Sequence, residues 1–265
     1  MKTKLHFTKM HGLGNDYLYV SGPVPEEIKD LCVRLCDRHF GVGADGMIFI
    51  GESEKADFSM RIFNADGSEA VMCGNGIRCV GKYVYDRNLT QKTELTVETR
   101  SGIRTLALKT GDDGRVNAAA VDMGNATLLE KTLLLPMGTG MAVSVGNPHA
   151  VCFTDSVKNV PLSLWGPMIE HDERFPDGVN AEFVQVLSPT RLRMRVWERG
   201  SGITLACGTG ACAAAFAAVK LGFCPACEPI EVVLDGGSLF VTVNDSDRIR
   251  MEGPAETVFE GEVEL

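Results

Sequence analysis

The chain has 265 residues, more than one hydrophobic core usually supports, which points to two domains. Hydrophobic residues make up 45% and charged residues 23%, the proportions of an ordinary globular protein, and a net charge of −9 with no basic run excludes non-specific nucleic-acid binding. The longest apolar stretch, Ala211 to Val219, is about half of what a membrane span needs, and Met1-Lys2-Thr3-Lys4-Leu5-His6 does not open a signal peptide. Nine cysteines in such a chain read as reduced thiols, so a cytoplasmic location is expected.

In chain order, Leu5 to Thr8 and Tyr17 to Val20 read as strands around a glycine-rich loop, His11-Gly12-Leu13-Gly14-Asn15. A helix is predicted over Glu26 to Arg38, with Pro25 suited to its first turn and Ile28, Leu31, Cys32, Leu35 and Cys36 at helical spacing. The turn Gly41 to Gly46 precedes a strand over Met47 to Ile50, and Phe58 to Phe63 is a second strand that Asp66-Gly67 turns toward Cys73. A helix then runs to about Tyr85, followed by strands at Leu95 to Glu98, Ile103 to Lys109 and Val116 to Val121.

The second half follows the same recipe. Strands are predicted at Met141 to Val145, Ala150 to Thr154, Glu182 to Leu187 and Leu192 to Trp197, with a short helix over Pro161 to Ile169. Cys207 to Leu221 reads as a helix that is apolar all round and therefore buried on every side. Ile230 to Leu234, Ser238 to Val243 and Arg248 to Glu252 close this half, with Asp235-Gly236-Gly237 as a hairpin turn.

The two halves share sequence as well as order. Met60-Arg61-Ile62-Phe63 leads into Cys73-Gly74-Asn75-Gly76, and Met194-Arg195-Val196-Trp197 leads into Cys207-Gly208-Thr209-Gly210, with no gap between the copies. Gly14-Asn15-Asp16-Tyr17 is echoed by Gly146-Asn147-Pro148-His149 at nearly the same offset. The expectation is an α+β protein of two pseudo-symmetric lobes, each a mostly antiparallel sheet rolled around a central helix. The division falls at residues 1–116, carrying Cys73, and 117–265, carrying Cys207, with the last strand available to the first lobe.

A cysteine at a helix start lies at the positive end of the helix dipole, which favours thiolate, and a Gly-x-Gly after it lets a ligand approach the backbone. The unsatisfied N–H groups there suit a carboxylate. Two such starts facing one site would remove a proton from one face of a carbon acid and return one to the other, with the N–H groups stabilising the added charge. Lone buried cysteines are usually small apolar core residues, and Cys32, Cys36, Cys79, Cys152 and Cys212 are assigned that way. Cys224-Pro225-Ala226-Cys227 has no second ligand pair for zinc and reads as a loop. No metal and no cofactor are expected. His149 stands at the repeat position of Tyr17 and Glu198 at that of Asn64. An isolated histidine is as a rule a turn or core residue, and Glu198-Arg199 could be a solvated pair. Their places beside the cysteine loop make both supporting candidates instead.

The runs Lys9-Met10-His11-Gly12-Leu13-Gly14-Asn15-Asp16, Phe63-Asn64-Ala65-Asp66-Gly67-Ser68, Met72-Cys73-Gly74-Asn75-Gly76-Ile77-Arg78-Cys79, Gly146-Asn147-Pro148-His149 and Trp197-Glu198-Arg199-Gly200-Ser201-Gly202 closely resemble diaminopimelate epimerase. So does Ala206-Cys207-Gly208-Thr209-Gly210. The resemblance implies two similar lobes with the site in the cleft between them. It also implies pyridoxal-phosphate-independent interconversion of LL- and meso-2,6-diaminopimelate in lysine and peptidoglycan precursor biosynthesis. Cys73 and Cys207 would be the acid/base pair, and the backbone N–H groups of Gly74, Asn75, Gly208 and Thr209 would hold the reacting carboxylate. His149 and Glu198 would flank the reacting centre. Asn15, Asn64, Asn147, Asn180 and Arg199 would bind the substrate, with Arg199 on the distal carboxylate. Where some family members carry Gln, this chain has Gly46.

Proline racemase and hydroxyproline epimerase resemble it too, but their first cysteine loop normally carries His where this chain has Asn75, and their substrate gives Arg199 no role. Phenazine-biosynthesis-type isomerases lack the thiol pair. A non-catalytic amino-acid-binding protein would carry both thiols only as an oxidation liability, and a Cys73–Cys207 redox switch could coexist with catalysis. The expected partner is a small molecule, with no nucleic acid and no membrane. The sequence leaves the oligomeric state open, with a homodimer as the assembly to test.

Overall fold

A computed structural model describes residues 4–135 and 138–265. The first half contains β1 (Lys4–Gly12), β2 (Asn15–Ser21), α1 (Ile28–Cys36), β3 (Gly46–Gly51), β4 (Phe58–Asn64), β5 (Glu69–Ala70), α2 (Gly74–Asp86), β6 (Glu94–Thr99), β7 (Gly102–Thr110) and β8 (Val116–Asn125). The second contains β9 (Thr127–Leu135), β10 (Gly138–Ser144), β11 (Pro148–Phe153), α3 (Leu162–Glu170), β12 (Asn180–Ser188), β13 (Arg191–Glu198) and β14 (Gly202–Thr204). It continues with α4 (Gly208–Lys220), β15 (Ile230–Leu234), β16 (Gly237–Val243) and β17 (Arg248–Pro254), and β18 (Glu256–Glu264) ends the chain. These elements form two compact units, Met1–Val121 with Gly253–Leu265, and Asp122–Glu252.

Within the first unit the strands pair in the order β18-β1-β2-β3-β4-β6-β7-β8, with β5 added to β4. Within the second the order is β9-β10-β11-β12-β13-β15-β16-β17, with β14 added to β13. Position by position the two orders are the same, and so are the two parallel pairs in each, β2–β3 with β4–β6 and β11–β12 with β13–β15. The remaining pairs are antiparallel, which makes each unit a mostly antiparallel α+β assembly. The strand that corresponds to β9 in the first unit is β18, delivered from the far end of the chain to lie against β1.

Each sheet encloses one helix. From Ala211 to Ala218 every residue of α4 is buried, as its apolar sequence requires, and alanines let the surrounding strands approach closely. Its counterpart α2 is buried from Gly74 to Val84 although it carries Arg78 and Lys82. Arg78 donates to Gly74 O, Asn75 Oδ1 and Pro254 O, each at 3.1 Å, so its burial is compensated by hydrogen bonds. Lys82 does the same through Asp86 Oδ2 at 2.7 Å.

Several boundaries differ from the predicted ones. Met10, His11 and Gly12 belong to β1 and Asn15 to β2, so the predicted glycine-rich loop contracts to the two residues Leu13 and Gly14. Both have positive φ, 60° and 84°, the conformation of a tight hairpin turn whose twist matches its strands. Leu13 accepts that strained backbone because its side chain is buried in the core. The first helix begins at Ile28, two residues later than predicted. Strands β9 and β18 were not anticipated, and β10 begins at Gly138 instead of Met141.

Candidate active site

Cys73 and Cys207 are N-cap residues, the last non-helical positions before α2 and α4. Their backbones are extended, with φ/ψ of −141°/111° and −116°/115°. In each case the sulfur accepts a hydrogen bond from the N–H of the second glycine of the Gly-x-Gly, Gly76 at 3.2 Å and Gly210 at 3.3 Å. A sulfur atom thus does the capping usually done by a Ser or Asp oxygen, and negative charge on it is stabilised by the helix. The fourth amides, Ile77 N and Ala211 N, return to Cys73 O and Cys207 O at 3.0 Å. The amides of Gly74, Asn75, Gly208 and Thr209 belong to the first turns of their helices, a setting that suits an anion.

In the first unit the β1–β2 hairpin and the β3 entry frame Cys73. Its thiol donates to Asn15 Oδ1 at 3.3 Å, and Asn15 Nδ2 is held by Asp45 Oδ2 at 2.9 Å. Tyr17 is buried against both, and burial together with the sulfur's charge pushes its phenol well above the usual range, so it stays protonated. Asp16, paired with Lys9 at 3.0 Å and Arg38 at 2.6 Å, braces this corner. Asn64 ends β4 opposite Gly46, with its Nδ2 on Ser68 Oγ at 3.0 Å. A Cβ on Gly46 would meet Phe63 O at 2.1 Å and Tyr17 Cε1 at 2.9 Å, so this backbone admits no side chain there, Gln included.

In the second unit Cys207 lies among charged groups. Thr204 Oγ1 donates to Glu198 Oε1, and Glu198 also hydrogen-bonds Cys207. Burial raises the Glu198 carboxyl against those bonds. Burial, then the charges of Glu198 and Glu182, pushes the Cys207 thiol well above its usual range, with Thr209 and the Gly210 amide opposing. His149 is fully buried, its Nδ1 2.7 Å from Glu182 Oε1 and its Nε2 3.0 Å from Asn147 Oδ1. Asn180 joins two segments, donating to Pro148 O at 3.2 Å and accepting from Arg199 N at 3.0 Å. The Arg199 guanidinium is exposed and donates to Asp177 O at 2.8 Å.

The structure therefore gathers Asn15, Cys73, Gly74 and Asn75 around one helix start, with Asn64 at the adjoining end of β4. It gathers Asn147, His149, Glu198, Cys207, Gly208 and Thr209 around the other, with Asn180 and Arg199 on the neighbouring strand ends. The residues assigned to the core, Cys32, Cys36, Cys79, Cys152 and Cys212, are all buried, while Cys227 of the Cys224–Cys227 loop is exposed. Sequence reasoning missed Glu170, Glu182 and Thr204. Glu170 accepts from Trp197 Nε1 at 2.6 Å and from Gly200 N at 2.8 Å, and so fixes the strand end that presents Glu198 and Arg199. The repeat could have pointed to Glu182, since it stands where the first half has Ile48.

Solved proteins of the same architecture include a phenazine biosynthesis protein of Bacillus anthracis, 17% identical, with a TM-score of 0.78 over 99% of this chain and 100% of that one. A hydroxyproline epimerase of Agrobacterium vitis, solved with bound trans-4-hydroxy-L-proline, is also 17% identical and gives 0.74 over 100% of this chain and 92% of that one. These place the chain in a fold shared by epimerases and related enzymes. The sequence narrows it further. The diaminopimelate epimerase family profile matches residues 7–129 and 141–258, one block in each half. The diaminopimelate epimerase of Phocaeicola vulgatus is 49% identical over the full length of both chains. The chain belongs to the diaminopimelate epimerase family. It is an isomerase, and no helix among its described residues is long and apolar enough to cross a membrane.

Proposed function

We propose that the chain interconverts LL- and meso-2,6-diaminopimelate without pyridoxal phosphate or another cofactor, in the supply of lysine and peptidoglycan precursors. The observation that supports this most is the twin arrangement of Cys73 and Cys207, each a sulfur N-cap ahead of a Gly-x-Gly in matched places of a repeated fold. One thiol takes the α-proton as thiolate and the other returns a proton to the opposite face, so their titrations belong to the pair. Cys207 rests as the thiol, since burial and neighbouring carboxylates favour that form. It is therefore the acid of the pair, and Cys73, once its own proton is released, the base. The intermediate's charge falls on the carboxylate oxygens, held by the amides of Gly74, Asn75, Gly208 and Thr209. Each well-placed donor of this kind contributes roughly a hundredfold or more in rate.

His149 and Glu198 flank the reacting carbon, and Glu198 offers its carboxylate to the substrate ammonium. Asn15, Asn64 and Asn147 bind the substrate's polar groups. Asn180 adds to that and holds the backbone of Arg199, whose guanidinium grips the distal carboxylate in bidentate fashion. We place the protein in the cytoplasm, where its nine thiols stay reduced, and take a homodimer as the assembly to be checked by light scattering. Incubation with LL-diaminopimelate in D₂O tests the reading. Deuterium should enter at one α-carbon as the meso isomer appears, and absence of exchange would refute it.

A further inference from the structure

The two helix starts are alike, but the residues beneath them are not. Parallel pairing sets Tyr17 beside Gly46 in the first unit and His149 beside Asn180 in the second, and two residues further along β3 and β12 stand Ile48 and Glu182. Each meets the second glycine of its Gly-x-Gly. A Cβ on Gly76 would lie 2.7 Å from Ile48 Cδ1, and one on Gly210 would lie 2.7 Å from Glu182 Oε1. The architecture thus accommodates an aliphatic side chain at this place, and the second unit puts a carboxylate there.

That carboxylate is costly to bury. Glu182 and His149 are both fully excluded from solvent, and Glu182 Oε2 has no hydrogen-bond partner among the described residues. A buried carboxyl–imidazole pair with an unsatisfied oxygen is less stable than a well-packed apolar pair of similar volume. Fold stability therefore gives no reason for Glu182.

Its neighbours do. The Cβ position on Gly210 that lies 2.7 Å from Glu182 Oε1 is 3.2 Å from Cys207 Sγ, so carboxylate and thiol flank one helix start. His149 contacts Glu182 Oε1 through Nδ1 and Asn147 Oδ1 through Nε2, which fixes its ring beside the carboxyl. The charged groups around Cys207 are His149 from β11, Glu182 from β12 and Glu198 from β13. Strands β10 and β16, also packed on α4, carry no charged residue, and Glu231 of β15 is taken up by Arg191 at 2.9 Å.

We propose that Glu182 is a positioning residue whose buried carboxylate, held in place by His149 beside the Cys207 helix start, keeps Cys207 as the proton-donating thiol, whereas Ile48 puts no carboxylate beside Cys73. The inference rests on the two-thiol reading of the site. It also supplies the asymmetry that an otherwise symmetric pair of helix starts needs, because two identical thiols would have no reason to divide the roles of acid and base at rest.

The test begins without substrate. The pH dependence of Cys207 alkylation by iodoacetamide, followed by peptide mapping, is compared in the wild type, Glu182→Gln and Glu182→Ile, the last reproducing the first half's residue. In both variants the alkylation midpoint should move to lower pH, and the rate near neutrality should rise at least about fivefold. Thermal stability should fall in Glu182→Ile, which leaves His149 Nδ1 buried without its partner, and less in Glu182→Gln, which keeps an acceptor there. With diaminopimelate, kcat should fall at least about tenfold while KM stays within about threefold. An alkylation profile that does not move overturns the proposal whatever happens to activity, as does failure of both variants to fold. A shifted profile in a protein that never turns over diaminopimelate would uphold the role of Glu182 and refute the substrate assignment.

Discussion

Glu170→Ala should unfasten the strand end that carries Glu198 and Arg199. Glu170 is 7% exposed, and its two oxygens separately accept Trp197 Nε1 at 2.6 Å and Gly200 N at 2.8 Å. A hydrogen bond to an ionised group contributes about 1.5–3 kcal/mol. The indole bond belongs near the top of that range because Trp197 is half-buried, and the other near the bottom because water reaches Gly200 once the carboxylate is gone. Together they give about 4 kcal/mol, or roughly 10–15 °C in Tm for a unit of this size. Glu170→Gln keeps one neutral acceptor and should cost about half as much. The pH dependence has a definite sign. Burial opposes ionisation of Glu170, but the two hydrogen bonds and the nearby positive charges outweigh it and lower its folded pKa below 4.5. Its contribution is therefore complete above that value and is lost as pH falls through the lower folded value. Calorimetry should show the full gap between wild type and Glu170→Ala at neutral pH and a narrower one in acid. A loss under about 3 °C, or a gap that widens in acid, would refute the anchoring role.

Cys73→Ala and Cys207→Ala should each reduce α-proton exchange to background with the fold intact by circular dichroism, and the serine variants should keep at most a trace, because a hydroxyl is a far weaker acid. Normal turnover by either alanine variant would sink the two-thiol mechanism. Arg199→Met should lower kcat/KM for diaminopimelate at least about a hundredfold, the loss expected for a charge-assisted bidentate contact. Proline should be no substrate for the wild type, and efficient proline racemisation would overturn the assignment. Gly46→Ala should destabilise by about 3 kcal/mol, since its Cβ must displace the Phe63 carbonyl and the Tyr17 ring. A chemical denaturation midpoint equal to wild type would show that this backbone yields more readily than its packing implies.

What the sequence determined by itself was whatever depends on short spans of chain. The gapless repeat from Met60 to Gly76 and from Met194 to Gly210 placed a cysteine before each Gly-x-Gly, and helix starts are local enough that their capping geometry follows from those few residues. The run of alanines in α4 likewise announced a helix buried on all sides. Tertiary structure decided what depends on pairing between distant segments. Strand β9 exposes most of Thr127 to Leu135, and β18 reads as a charged tail, so neither shows the alternation of a half-buried strand. Pairing with the strand that follows it, β10, makes β9 a strand, and pairing with β1 from the far end of the chain makes β18 one. Glu182 was hidden for a related reason. Asn180 to Val184 are buried in succession on both faces of β12, where a glutamate read from sequence would be turned toward water. Its hydrogen-bond partner is His149, on the parallel neighbour β11, brought beside it only by the folded sheet, since what a buried carboxyl does is set by what surrounds it in space and not by what flanks it along the chain.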